Sequence, residues 1–192
     1  FIAVVLCFSS IPFGFAQDDK YVPNHQGQLL EKVGFMLDYD TVNLLPYWVA
    51  YELSDYEIDN VIDRKYYYKK DPHVSNCPSH DKYTCSGYDR GHLKPAADSK
   101  SNNQQMEDCS LMSNIAPQTA ELNQYIWSDL EGKARGLAKK YNSIYIVTGR
   151  SNAFIDTLDS GIMVPNYYWK SILIEKGNET FVESFLIPNI SC

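Results

Sequence analysis

The sequence has no Cys-x-x-Cys pair and only 4 histidines, so it lacks the ligand spacing of a structural zinc site. Positive charge is scarce as well: 17 Lys and Arg stand against 24 Asp and Glu, a net charge of −7. Nonspecific affinity for nucleic acid comes largely from cations that neutralise phosphates. A protein that coats DNA over its whole surface is therefore excluded, and any such contact must be local. Beyond residue 16 no apolar run approaches the ~20 residues needed to span a bilayer. No internal repeat, low-complexity tract or linker divides the chain.

What is present suits one domain with a real core: 192 residues, 44% of them hydrophobic and 14% aromatic. Residues 1–16 are uncharged and mostly apolar, and Gly14-Phe15-Ala16 has small residues where a signal peptidase needs them. This predicts a cleaved export signal over 1–16 and a secreted or periplasmic protein with no membrane attachment after cleavage. A lead-in over 17–43 and a main domain over 44–192 follow. Because the chain opens on Phe with no basic residues ahead of the apolar run, the precursor is expected to begin further upstream. Export also brings the thiols into an oxidising compartment. Cys7 lies in the leader, and Cys77 and Cys85 close a short polar loop, so a disulfide between them is expected. Asn178-Glu-Thr and Asn189-Ile-Ser are glycosylation sequons, relevant only in a eukaryotic secretory pathway.

Patterning predicts an α+β domain. Residues 46–53 read as a half-buried strand and 64–68 as a second, with a Pro-, Ser- and Gly-containing loop over 71–88. Leu122, Ile126, Leu130 and Ala134 recur at four-residue spacing, and Leu137 and Ala138 continue that apolar face, which predicts a helix from about residue 119. Residues 143–149 alternate like a strand, and 168–175 with 180–186 form a hairpin turning at 176–178.

The loop over 71–88 delivers the chain to Ser86-Gly-Tyr-Asp-Arg-Gly-His-Leu-Lys-Pro95, which sets a histidine beside an Asp-Arg pair and a glycine that permits close backbone approach. Carboxamides follow at Asn114, Gln118 and Asn123, then Glu131, with Asn123 placed 31 residues after His92. In order and spacing this resembles the DNA/RNA non-specific endonuclease family, the ββα-metal (His-Me finger) nucleases, over roughly residues 44–188. The resemblance implies a mainly antiparallel sheet with a long helix beside the active-site loop. It also implies phosphodiester hydrolysis of DNA and RNA through backbone contacts, leaving 5′-phosphate products. Related nucleases usually run on past a strand like 180–188, so the domain is expected to be truncated at its C-terminus.

By that resemblance His92 is the general base and Asn123 the ligand of one Mg²⁺ or similar divalent cation such as Mn²⁺. Mg²⁺ prefers oxygen ligands and often binds through only one or two protein groups, so a single amide oxygen suffices. The competing roles are a core histidine and a helix-initiating cap. On an ideal helix Glu131 lies ~12 Å along and ~80° around from Asn123, so it is assigned to a water of the ion rather than the ion itself, or else to an i+4 pair with Arg135. Arg90 is expected to pair a carboxylate or clamp phosphate, and Asp89 to fix Arg90 or the loop or else to act as a catalytic group. Asn114 and Gln118 are expected to hold phosphate oxygens or metal-bound waters, with loop capping as the alternative, and the upstream Arg64 to hold phosphate. Trp127 is read as core. Two departures from relatives stand out, Asp108-Cys109-Ser110 and Arg150, the latter where Pro is common. The rival from another class is a nucleic-acid-binding or interaction module on the same fold without catalysis, and a second enzymatic reading is a toxin or cell-death nuclease.

Overall fold

A computed structural model describes residues 21–59, 62–63 and 67–190. The expected leader, Cys7, Arg64 and Cys192 lie outside the described residues, as does most of the strand expected over 64–68, while Tyr67 and Tyr68 are in no strand.

Strands β1 (Gln28–Lys32), β2 (Phe35–Asp40), β3 (Leu45–Ser54), β6 (Ser143–Arg150), β9 (Tyr167–Lys176) and β10 (Glu179–Pro188) form one antiparallel sheet in the order β1-β2-β3-β6-β9-β10. Alternation along these strands builds one buried face, where Leu37, Tyr39, Val49, Tyr51, Leu53, Ile144, Ile146, Tyr168 and Ile172 are all nearly inaccessible. Each such side chain removed from water contributes about 1.5–3 kcal/mol. The expected β9–β10 hairpin forms, with a two-residue turn at 177–178 because Lys176 pairs with Glu179, and Gly177 at φ 62° in its first position.

The lead-in over 17–43 needs correction, because β1 and β2 belong to the main sheet. β1 exposes all but Leu30 in part, and β2 buries two carboxylates, Asp38 and Asp40, among its apolar residues. Those acids hide the strand pattern in the sequence. Asp38 accepts the backbone N–H groups of Gln26 and Gly27, and Asp40 meets Arg150 at 2.5 Å with both side chains buried. The unusual Arg150 is therefore a strut between β6 and the end of β2.

The helix begins where its pattern predicts, and Thr119 is its cap: its hydroxyl accepts the Leu122 N–H at 3.3 Å. Its second turn is a π-helical stretch, Leu122–Trp127, continuing into α3 (Ser128–Tyr141). α3 lays Leu130, Ala134 and Ala138 on the sheet, and Trp127 is core as expected, edge-on to Tyr168. Asn142, at φ 71°, stops the helix. In front of this helix β4 (Asp89–His92) pairs antiparallel with β5 (Ile115–Gln118), so β4, β5 and the helix make a ββα unit. The connection between these strands carries α2 (Asn103–Cys109), capped by the Asn102 side chain on the Gln105 N–H at 2.9 Å.

No disulfide joins Cys77, Cys85 or Cys109. The Cys77 thiol is turned inward, accepting the Asp71 N–H at 3.3 Å, while Cys85 is exposed on the surface. Asp71, at the head of the longer 71–88 loop, anchors it to the domain by accepting Ser113 Oγ at 2.6 Å and Lys32 Nζ at 2.7 Å.

Candidate active site

β4 carries three of the expected residues in a row of alternating directions. Arg90 and His92 share one face, where the Tyr68 ring lies 5.5 Å from the imidazole and 5.7 Å from the guanidinium, centre to centre. The π-face of Tyr68 thus confines His92 and steadies Arg90 through a cation–π contact. Among the described residues Arg90 pairs with no carboxylate: Nε and Nη2 both donate to the His80 carbonyl, at 2.9 and 2.7 Å, and Nη2 also reaches Thr84 Oγ1. Its Nε–Nη2 edge thus already holds the 80–84 turn.

Asp89 does not fix Arg90 either. Its Oδ2 accepts Asn123 Nδ2 and Gln124 Nε2, each at 2.9 Å. The carboxylate that precedes His92 by three residues therefore holds the Asn expected to bind the cation. With Thr119 in the cap position, Asn123 has its side chain free for this site. The π turn, whose bonds span five residues instead of four, is the sort of irregularity that recurs at functional sites.

Two expected residues serve the scaffold, and so does Lys94. Asn114 is fully buried, and its amide is saturated: Oδ1 accepts the Lys94 N–H, while Nδ2 donates to the Lys94 and Cys109 carbonyls at 2.8 Å. It clips the chain just beyond His92 to the end of α2 and has no surface to offer phosphate. Gln118 is also fully buried, and a Cβ placed on Gly91 would come closer than 3.0 Å to three of its side-chain atoms. The glycine of the motif thus makes room for Gln118 rather than for a ligand. Lys94, two residues after His92, is buried under the sheet edge with Nζ on the Gly34 carbonyl and 4.4 Å from the Tyr51 ring centre. Burial lowers its pKa, partly countered by Glu57.

Glu131 points into the interface between α3 and the sheet. Its Oε2 is 3.9 Å from Arg135 Nη1, which also meets buried Asp98 at 3.0 Å, and it acts electrostatically on Tyr51 and Lys170. The i+4 pairing with Arg135 is thereby realised, in a largely buried ionic cluster instead of on an exposed face.

Among the described residues no three His, Cys, Asp or Glu side chains converge as a metal cluster. A hard cation that keeps most of its waters needs no such cluster. The donor chemistry fits one: because a carboxylate only accepts, Asp89 claims the NH₂ end of Asn123 and leaves Oδ1 turned away as an oxygen ligand. Two residues to which the sequence assigned no role in the site belong here, Gln124 and Tyr68. Gln124 sits next to Asn123 in the sequence, but an exposed glutamine on a helix carries no signal until the π turn shows where it points.

Comparison with known proteins gives consistent results. The family model for DNA/RNA non-specific endonuclease matches residues 18–192. The mitochondrial nuclease of Saccharomyces cerevisiae is 33% identical over 207 residues, covering 95% of this chain and 62% of that protein. A nuclease of Syncephalastrum racemosum is 30% identical, covering 87% of this chain and 60% of its own length. The chain thus spans about three fifths of each of these two relatives. Among solved structures, the EndoG/EndoGI complex superposes with a TM-score of 0.83 at 25% identity, covering 95% of this chain and 82% of the matched one.

Proposed function

The chain belongs to the DNA/RNA non-specific endonuclease family, and from that premise we propose that it hydrolyses phosphodiester bonds of DNA and RNA at the β4–π-turn site. The observation that carries the reading is the Asp89–Asn123 bond at 2.9 Å, which ties the expected cation ligand to the strand that bears His92.

As general base, His92 takes the proton from the attacking water, a contribution of ~10²–10⁴ in rate. Tyr68 holds its ring. Asn123 Oδ1 would hold a divalent cation, Mg²⁺ by preference, which supplies positive charge where the phosphate and leaving oxygen become more negative. Phosphate contacts are local, as the net charge of −7 requires. Exposed Lys69 and Lys70 follow Tyr68 in the chain and are cations available for such phosphate contacts. Cutting without sequence preference follows when contacts go to phosphate and sugar, and 5′-phosphate products accord with the family. Export rests on the apolar character of residues 1–16 alone; N-terminal sequencing of secreted material beginning at Gln17 would support it.

The test is incubation of the protein with supercoiled plasmid and with RNA, in Mg²⁺ or in chelator. Cleavage of both that chelator stops is expected. Binding of either without cleavage would instead favour the interaction module.

A further inference from the structure

Asn and Gln amides can present either oxygen or nitrogen to a partner, and a cation ligand is useful only with its oxygen outward. We propose that Asp89 and Gln124 form a two-part device that keeps Asn123 in that orientation, which makes Gln124 a positioning residue for the cation. The proposal rests on the reading of Asn123 as the cation ligand. Asp89 Oδ2 has no proton to give, so it draws Asn123 Nδ2 to itself and excludes the flipped amide. Left to one bond, that carboxylate could rotate about its own side-chain torsions. Gln124 Nε2 donates to the same oxygen, also at 2.9 Å, from the exposed side of the turn.

Consecutive residues of an α-helix diverge by about 100°, which would send two adjacent side chains to different partners. In the π turn Leu122–Trp127 both amides reach one oxygen atom. The wide turn therefore has a specific use at this place in the fold. Asp89 in turn is carried by β4, paired across to Gln118 at the end of β5, so the device is seated on the rigid hairpin. Partners that orient a metal ligand typically change metal affinity 10–100-fold when removed.

The experiment is a calorimetric titration of the folded protein with MnCl₂ in the absence of nucleic acid, so turnover plays no part. Gln124→Met keeps length and removes the donor, Asp89→Asn allows the amide to flip, and Asn123→Ala removes the ligand. Expected are a several-fold weaker Mn²⁺ affinity for Gln124→Met, a 10–100-fold loss for Asp89→Asn, and no specific binding for Asn123→Ala. Thermal melting of Gln124→Met should match the parent, because the bond it loses is exposed. If Asn123→Ala binds Mn²⁺ like the parent, the ligand assignment fails and the device with it. If Asn123→Ala is inert but Gln124→Met binds like the parent, the ligand assignment stands and the positioning role of Gln124 is refuted. Should Asp89→Asn fail to fold, Gln124→Met decides alone.

Discussion

The Gln118 side chain lies directly on the α-carbon of Gly91, filling the space where any other residue would carry its Cβ. This explains the glycine of the Asp-Arg-Gly-His run: β4 and β5 pair Gly91 with Ala116, and Gln118 folds back over the gap. Gly91→Ala should cost about 1–3 kcal/mol, the usual penalty for overpacking a tight site. Truncating the intruding partner, in Gly91→Ala/Gln118→Ala, should return part of that loss. Urea unfolding of the two single variants and the double variant measures the coupling; strictly additive losses would show that the two side chains do not compete for this space.

His92 and Asn123 carry different jobs at one phosphate, so their variants should fail differently. His92→Ala should keep Mg²⁺ affinity and the fold while losing ~10²–10⁴ in turnover. Asn123→Ala should lose activity that raised Mg²⁺ partly restores. A rate-versus-Mg²⁺ series on both folded variants separates the two, and a His92→Ala protein rescued by extra Mg²⁺ would reverse the assignments.

Arg150 is wholly buried against Asp40, which also takes the N–H groups of Val42 and Asn43. Arg150→Met strands that carboxylate without its cation and should destabilise the protein by about 3–5 kcal/mol. Adding Asp40→Asn removes the stranded charge and should recover stability. Denaturant midpoints of the single and double variants check both statements.

Stability should fall on the acid side because of Asp71. Burial alone would raise its pKa, but the bonds from Lys32, Ser113 and the His73 N–H prevail and hold it below its ordinary 3.8. A carboxylate with a depressed folded-state pKa contributes fully above its unfolded value, and that contribution is lost as pH falls through the folded value. Urea midpoints should therefore drop below about pH 4. Lys32→Met, which removes the largest of the lowering bonds, should make that drop shallower. An unchanged profile would place the acid sensitivity elsewhere, with Asp40 the next carboxylate to examine, since its pKa is also lowered.

The two sequons are structurally unequal. Asn178 is exposed in the β9–β10 turn, whereas Asn189 is fully buried, its amide bonded to the Thr119 N–H and the Pro117 and Pro165 carbonyls. Passage through a eukaryotic secretory pathway should glycosylate Asn178 and leave Asn189 bare, as peptide mass mapping would show.

The motif around His92, the helix after residue 119, the β9–β10 hairpin and the α+β class were all legible in the chain. Each is written in local spacing: a tetrapeptide, a four-residue apolar repeat, a Gly-Asn turn between alternating runs. β1 and β2 were not, because a polar edge strand and a strand with two buried carboxylates carry no apolar alternation. Their partners, the Gln26 and Gly27 N–H groups and Arg150, are visible only in space.

The sequence by itself determined which residue types stand in the family's order, and so the family and the chemistry it brings. Only the tertiary structure decided what each one touches. Asp89 turned from Arg90 to Asn123 and Gln124, Asn114 and Gln118 went to the scaffold, and Cys77 faced inward to Asp71. Residue order sets local conformation within a turn or two, whereas a side chain's partner depends on strand register and on the one wide turn of the helix. Those are settled by packing across 34 residues between Asp89 and Asn123 and 110 between Asp40 and Arg150.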